Sequence, residues 1–575
     1  MKNRLLVAIG AIALVLGSVN SVHADTNDNN WAVPNDVLPG THGVLFQDVD
    51  NGGEFSALVL ESALSDRTKD PTCADAYYTA CAASPYMWSA LIPQCTKSSD
   101  LNCISGFGAI KSDGSKIEGK FVNYFPLKAQ NAYLGSIGNG LPSGATGSLY
   151  TIPGITHSGG DQFYVSVFMK GNSWANIYGG ATVSARLDNF SAQISPVQLV
   201  KVPAICSSYG LSSCPDAGYA RISDQHGGFF WGGQGPGWDG VHNCVAFSAS
   251  DSMCAQKFGF PADVRFYLEI KVNNLPYGWL HGRLADPKIN VSYLPNDGMS
   301  GGINTLYFEG APVQTPVVYK SYKWTDMPAQ LKAQYNDSSG EFLKGSSGGY
   351  SRIPFAGTIS DPLKRNYTSS PKPSGKHSID ELKAWLPYIN DKATASPTDW
   401  SVRSLSQSEI SDHQECYADK TKIAGIVTTN STVYSPGPPS YNSTDGSLDY
   451  QVGAPHYTSS GDVFKGNYDL IMSSTVARCI YGFSSAPVKA TISVTSADGS
   501  PQIATTVVGE SNGWIHMRAA NFEFSAPTVK VKLTQDGAPS TKTSLRVKMK
   551  SITCVKGKVS KVVTMASCPS GYKKK

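Results

Sequence analysis

Charge is scarce in this chain. Asp, Glu, Lys and Arg make up 16% of its 575 residues, well below the usual quarter, so polarity rests on Ser, Thr, Asn and Tyr. That argues against helical bundles with charge-laced surfaces. No HExxH occurs, and no two cysteines stand two to four residues apart, which excludes a zincin helix and a zinc knuckle. After the first residues no stretch approaches eighteen apolar residues, so no integral membrane segment is expected once a leader is removed.

Three formal motif matches lack the context their chemistry needs. Gly235-Pro236-Gly237-Trp238-Asp239-Gly240 fits GxGxxG, but a dinucleotide loop must follow a strand and open a helix, and Pro236 intrudes. Gly345 to Gly349 fits GxSxG within a Gly/Ser run that offers no strand–turn–helix elbow. Asp48, Asp50 and Asn51 are hard oxygen donors, yet Val59 stands where an EF-hand loop closes with glutamate. An ordinary Asp/Gly turn explains that run. No catalytic residue, metal site or cofactor is expected.

What the chain does have is an export pattern and cysteines. Lys2 and Arg4 precede an apolar run from Leu5 to Leu16, and Val22-His23-Ala24 puts small residues at the −3 and −1 positions of a cleavage site. Residues 1–24 therefore read as a signal peptide, and the mature protein as secreted or envelope-associated. The twelve cysteines then read as disulfides. Cys73 and Cys81, Cys95 and Cys103, and Cys206 and Cys214 each enclose seven residues; Cys244 and Cys254 enclose nine; Cys554 and Cys568 enclose thirteen; Cys416 and Cys479 remain for each other. Sequence alone does not determine connectivity. With this pairing, each shortest loop stabilises by roughly 2–3 kcal/mol and the longest by about 4 kcal/mol.

Length predicts two or three units, and 41% hydrophobic residues suffice for real cores. Gly (56) and Pro (34) are abundant, as in β-proteins with many turns. In Arg265 to Asn273, Phe266, Leu268, Ile270 and Val272 share one face while Arg265, Tyr267, Glu269 and Lys271 share the other. Such period-two alternation marks a half-buried strand. Gln162 to Lys170, Val183 to Val200 and Gly278 to Leu294 add further strand-rich stretches. The expected fold class is mainly β, with two β-sandwich-like domains, a helix-containing connector and disulfide-closed loops. Residues 25–318 form the N-terminal sandwich-like domain and 319–415 the connector. In the connector, Asp326 to Tyr335 reads as helical, and Ser378 with Glu381, and Ser406 with Glu409, read as capping boxes. Residues 416–550 form the C-terminal sandwich, with strands including KIAGIVTTN, GNYDLIMSS, ARCIYGF, VKATISVTS and GWIHMRA. Residues 551–575 form a basic, Cys-closed tail.

The tail, CVKGK from Cys554 and CPSGYKKK from Cys568, resembles the C-terminal ends of secreted or surface proteins of freshwater-type actinobacteria. ECYADKTKIAGIVTTNSTVYS from Glu415, ARCIYGFSSAPVKATISV from Ala477 and ATTVVGESNGW from Ala504 carry the resemblance across roughly residues 400–575. It implies bacterial origin and an envelope location, and no activity. Met565 to Ser567 departs from the pattern before Cys568. Residues 530–575 carry a net charge of +11 and the remainder −7. That asymmetry fits a basic handle for an anionic wall polymer or polysaccharide, and equally a lysine-rich end that aids solubility. Nucleic acid is not an expected partner of an exported chain.

The aromatic-rich loop HGGFFWGGQGPGWDGVHNC, from His226 to Cys244, is the candidate ligand site. Phe229, Phe230, Trp231 and Trp238 offer apolar platforms for sugar rings, glycines admit close backbone approach, and His226, Asp239 and His242 can orient hydroxyls. The same composition also suits a loop whose aromatics cover a sandwich edge. Asp239 and Glu269 are the nameable carboxylates for a glycosidase, whose two carboxyls must stand about 5–10 Å apart. The expected function is a non-catalytic, secreted or cell-surface envelope protein that binds carbohydrate or wall polymer. The alternatives are a secreted polysaccharide-active hydrolase and a structural surface-layer protein.

Overall fold

The computed structural model describes most of residues 28–575; outside it fall 1–27, 32–39, 49–53, 61–71, 76–80, 175–183, 202–218, 224–228, 234–242, 295–301, 335–348, 351–366, 536–551, 564–571 and shorter loop segments. Among the described residues the chain is mainly β, with strands at 58% and helices at 9%. It divides into a large unit, residues 1–534, and a small one, 535–575.

Sixteen described strands of the large unit form one sheet. Its path runs Thr72–Cys73, Ala57–Leu60, Tyr86–Leu91, Gln162–Trp174, Ser184–Lys201, Thr398–Ser404, Gly278–Arg283, Ile423–Thr429, Lys465–Ser473, Trp514–Glu523, Thr505–Ser511. Gly278–Arg283 pairs antiparallel with Thr398–Ser404 on one side and parallel with Ile423–Thr429 on the other. The sheet therefore does not stop at residue 318 or 416. It takes strands from the N-terminal stretch, the helix-containing stretch and the C-terminal stretch alike.

Both faces of this sheet are apolar, because side chains alternate along each strand. Leu280, Trp400, Val402 and Ile471 enter one core, where Phe266, Leu268, Ile270 and Val272 meet them from a five-stranded sheet. That sheet runs Ala285–Leu294, Ile303–Ala311, Arg265–Val272, Cys103–Ile110, Lys116–Glu118. Trp279, Val427, Leu470, Met472 and Met517 enter the opposite core, with Leu448, Tyr450, Val452, Val494 and Val529 of a six-stranded sheet. The result is two sandwiches that share one sheet, each using a different face of it.

A four-stranded sheet, with Val318–Lys323, Thr41–Phe46, Tyr367–Ser369 and Gly349–Tyr350 in order, packs Val44, Phe46 and Val318 against Leu331, Leu382 and Trp385. The last three side chains come from the helices Ala329–Lys332 and Ser378–Trp385. His377 occupies the N-cap position of the second helix. Ser378 Oγ instead donates to the Lys372 carbonyl at 2.5 Å, and Glu381 accepts from Ser369 Oγ at 2.6 Å, so the expected capping box does not form. At Ser406 half of the box forms, with Ser406 N donating to Glu409 Oε2 at 2.7 Å.

Two local expectations change. ARCIYGF is not a strand; it lies in the helix Ser474–Tyr481, which Gly482 ends in the left-handed region at φ 68°. Ala477 and Tyr481, four residues apart, supply the buried stripe that a helix presents on one face. Gly278 to Leu294 is two strands, in different sheets, separated at Leu284.

Four of the expected cysteine pairs are disulfides: Cys73–Cys81, Cys95–Cys103, Cys244–Cys254 and Cys416–Cys479, with Cα atoms 5.0–6.3 Å apart. The last joins the turn Gln414–Tyr417 to the helix Ser474–Tyr481. Cys206, Cys214 and Cys568 lie outside the described residues, so those two pairings are not seen. Among the described residues no helix is long and apolar enough to cross a membrane.

The small unit holds a three-stranded antiparallel sheet, Val559–Val563, Ile552–Lys556, Lys573–Lys574. Within it the Lys556 ammonium stands 6.0 Å from the Tyr572 ring centroid.

Candidate functional site

The five-stranded sheet buries one face against the large sheet and carries polar and aromatic side chains on the other, of which Tyr267 and Glu309 are buried. Strand Arg265–Val272 alternates so that Phe266 and Leu268 enter the core while Tyr267, Glu269 and Lys271 take the opposite face, where Tyr267 is itself buried, 3% exposed, and Glu269 and Lys271 are half-buried. Strand Ile303–Ala311 adds Tyr307 in register, since Glu269 pairs with Tyr307 and Tyr267 with Glu309. The two tyrosine rings stack at 5.9 Å with planes 21° apart. Tyr267 fits close to the backbone because its neighbour across the strands is Gly108. A Cβ at Gly108 would stand 2.7 Å from the Tyr267 ring and 2.1 Å from the Ile117 carbonyl. Lys116, on the exposed edge strand, places its ammonium 3.8 Å from the Tyr267 centroid and 5.1 Å from that of Tyr307.

Carboxylates and cations ring the tyrosine pair. Glu269 accepts from Ser105 Oγ at 3.0 Å. Glu309 accepts from Tyr307 Oη at 2.9 Å and from Lys288 Nζ at 2.9 Å, and pairs with Arg265 at 3.1 Å. Burial pushes the Glu309 carboxyl up, but the bonds from Lys288 and Tyr307 and the cations Lys288 and Arg265 outweigh it and hold it below its ordinary value. Tyr267 is pushed up to about 12 by burial and then by Glu118 and Glu269. Its hydroxyl is therefore neutral at any physiological pH.

The network continues inward. Arg265 Nη1 meets Asp286 Oδ2 at 2.9 Å, and Asp286 Oδ1 meets Arg518 Nη1 at 3.1 Å. Arg518 Nε lies 3.5 Å from Asp469 Oδ1, and the Asp286 backbone N–H donates to Asp469 Oδ2 at 3.3 Å. Asp286 takes the left-handed backbone, φ 50°. Burial lifts Asp469 to about 7 despite Arg518.

This surface has the parts that hydroxyl recognition needs: flat rings, carboxylate acceptors and guanidinium or ammonium donors on one rigid sheet. Sequence reasoning located Tyr267, Glu269 and Lys271 on a common face. It missed Tyr307, Glu309 and Lys116, although INTLYFEGA carries the same alternation.

The loop selected from sequence is placed only in part. Phe229, Phe230 and Trp231 belong to the strand Phe229–Gly233, which pairs antiparallel with Tyr219–Ser223. Their side chains, and His226, Trp238, Asp239 and His242 altogether, lie outside the described residues. Asp48 is the counter-ion of Arg283, while Asp50 and Asn51 lie outside the described residues. Asn430 heads the glycosylation sequon Asn430-Ser431-Thr432, but it is 2% exposed and gives its amide to the Lys465 carbonyl at 2.9 Å, so a glycan there is incompatible with this fold. Comparison of the chain with protein-family models, with curated proteins and with solved structures finds no match.

Proposed function

We propose that this is a non-catalytic, secreted or cell-surface envelope protein that binds carbohydrate or wall polymer through the outer face of its five-stranded sheet. The observation that carries the reading is the Tyr267–Tyr307 stack with Lys116 above it and Glu269 and Glu309 beside it. Lys116 sits on an exposed strand, so a sugar ring can take the place of its ammonium against the tyrosines while the carboxylates accept hydroxyl protons. The leader pattern, the disulfides and the basic C-terminal stretch support an extracytoplasmic setting, with residues 551–575 as a salt-sensitive handle. The resemblance of that stretch to actinobacterial surface proteins fits the same reading.

The test is a panel of neutral and acidic glycans titrated into the mature protein, with assay for released reducing ends. Saturable binding that Tyr307→Ala weakens by about tenfold or more, without released ends, is the expected result. Binding unchanged in Tyr307→Ala would remove the site, and turnover would make the protein a hydrolase. Deletion of residues 551–575 should abolish low-salt pelleting with cell envelopes.

A further inference from the structure

A second cluster lies on the other face of the large sheet, away from the tyrosines. Cross-strand register puts Arg403 beside His281 and Ser401 beside Arg283. Arg283 and His281 are 1% and 3% exposed. The Arg283 Nε pairs with Asp48, and Nη1 donates to the carbonyls of Thr429 at 2.8 Å and Ser431 at 2.7 Å. Arg403 Nη2 donates to Glu409 and to the Tyr434 hydroxyl, both at 2.9 Å. The Tyr434 ring carries His281 flat against it, centroids 3.8 Å apart and planes 2° apart, with the Arg283 guanidinium 4.9 Å from its centroid.

Two nitrogens of this cluster have no partner among the described residues: Arg283 Nη2, a donor, and His281 Nε2. A buried guanidinium nitrogen without an acceptor is costly, and the unpartnered His281 nitrogen stands in the same cluster. The cluster reaches solvent at Arg403, whose side chain is 32% exposed, and at Asp48, whose side chain is 24% exposed. The acceptors nearby, Asp48 and Glu409, are already engaged by the two arginines. What the cluster lacks is an acceptor with more than one lone pair.

We propose that Arg283, His281 and Arg403 form a second binding site that takes an oxyanion, the carboxylate or phosphate ester of an acidic polymer. It rests on the reading above only for the origin of that group, since the donors would take a free oxyanion as well. Asp48 and Glu409 already balance the two guanidinium charges. The groups facing His281 are Arg283 and Arg403, with Tyr434 stacked on it, and burial together with these two cations holds the imidazole neutral. An incoming anion adds the charge that lets Nε2 bind a proton, so occupancy is coupled to proton uptake and strengthens as pH falls.

The experiment is isothermal titration of the mature protein with galacturonate and, separately, glycerol phosphate, with galactose as neutral control, at pH 5.5 and 7.5. The expected result is binding of at least one anion and not of galactose, about tenfold tighter at the lower pH, with proton uptake read from buffers of different ionisation heat. Arg403→Lys, where the cluster reaches solvent, should weaken it about tenfold or more. His281→Gln should remove the pH dependence. Absence of binding by both anions, or binding that is pH-independent and equal in a folded Arg403→Lys protein, overturns the proposal. Tyr307→Ala separates the two readings: it should leave the anion titration unchanged while neutral-glycan binding falls. Which anion binds identifies the polymer chemistry.

Discussion

The indole N–H of Trp400 donates to the carbonyl of Gly310 at 3.0 Å, tying the centre of the large sheet to the five-stranded sheet packed on it. Trp400 is fully buried, so its ring fills the core while its polar atom is satisfied across the layer. Trp400→Ala should cost about 3–5 kcal/mol through cavity and transfer losses. Trp400→Phe should cost less, about 1–3 kcal/mol, chiefly from the carbonyl left unpaired. Urea midpoints of the two variants check the order.

Gly171 is a close-approach position. A Cβ there would stand 1.8 Å from the Arg186 carbonyl oxygen and 2.8 Å from the Trp88 ring, where the long strand pair Gln162–Trp174 and Ser184–Lys201 slips register after Leu187. Gly171→Ala should therefore destabilise by about 1–3 kcal/mol or more. Gly509→Ala, where an added Cβ meets nothing within 4 Å, is the matched control and should change stability far less.

Asp469 gives a pH dependence of defined sign. Its folded carboxyl titrates near 7 rather than 3.8 because it is buried. Between those values the folded state holds a proton that the unfolded state has released, so stability falls as pH rises from about 4 to 7. Asp469→Asn should flatten that decline, by an amount of the order of a few kcal/mol. Glu409 acts oppositely: burial alone would raise it, but Arg403 and its hydrogen bonds hold it near 2. Its contribution is present above about pH 4.5 and lost as pH falls toward 2. Chemical denaturation of wild type and Asp469→Asn from pH 4 to 8 checks the first sign.

The Cys416–Cys479 bridge closes a separation of 63 residues and anchors a helix whose Ala477 and Tyr481 enter the second core. Replacing both cysteines by serine should cost about 4 kcal/mol on the chain-entropy model. Peptide mapping without reduction should recover Cys416 with Cys479.

Period-two alternation made the strand Arg265–Val272 legible, yet Ile303–Ala311 went unread although it alternates likewise. The strand Thr398–Ser404 went unread inside the helical stretch, although Trp400 and Val402 carry its inward face. ARCIYGF misled because a short apolar run is compatible with either period, and only the stripe of Ala477 and Tyr481 against the second core selects the helix. The tyrosine face was half visible, because Tyr267, Glu269 and Lys271 are neighbours in sequence while Tyr307 and Lys116 reach them only through strand pairing. Arg283, His281 and Arg403 gave no motif, since over a hundred residues separate the first two from the third.

By itself the sequence pointed to the local terms: the close cysteine pairs Cys73–Cys81, Cys95–Cys103 and Cys244–Cys254 and which face of each long strand is apolar. Those are set by spacing and alternation within a few residues. Only the tertiary structure decided that one sheet serves two cores, and that Gly278–Arg283 lies at its middle between strands from later in the chain. Register between distant strands depends on how whole faces bury against each other, and no short window of sequence carries that information.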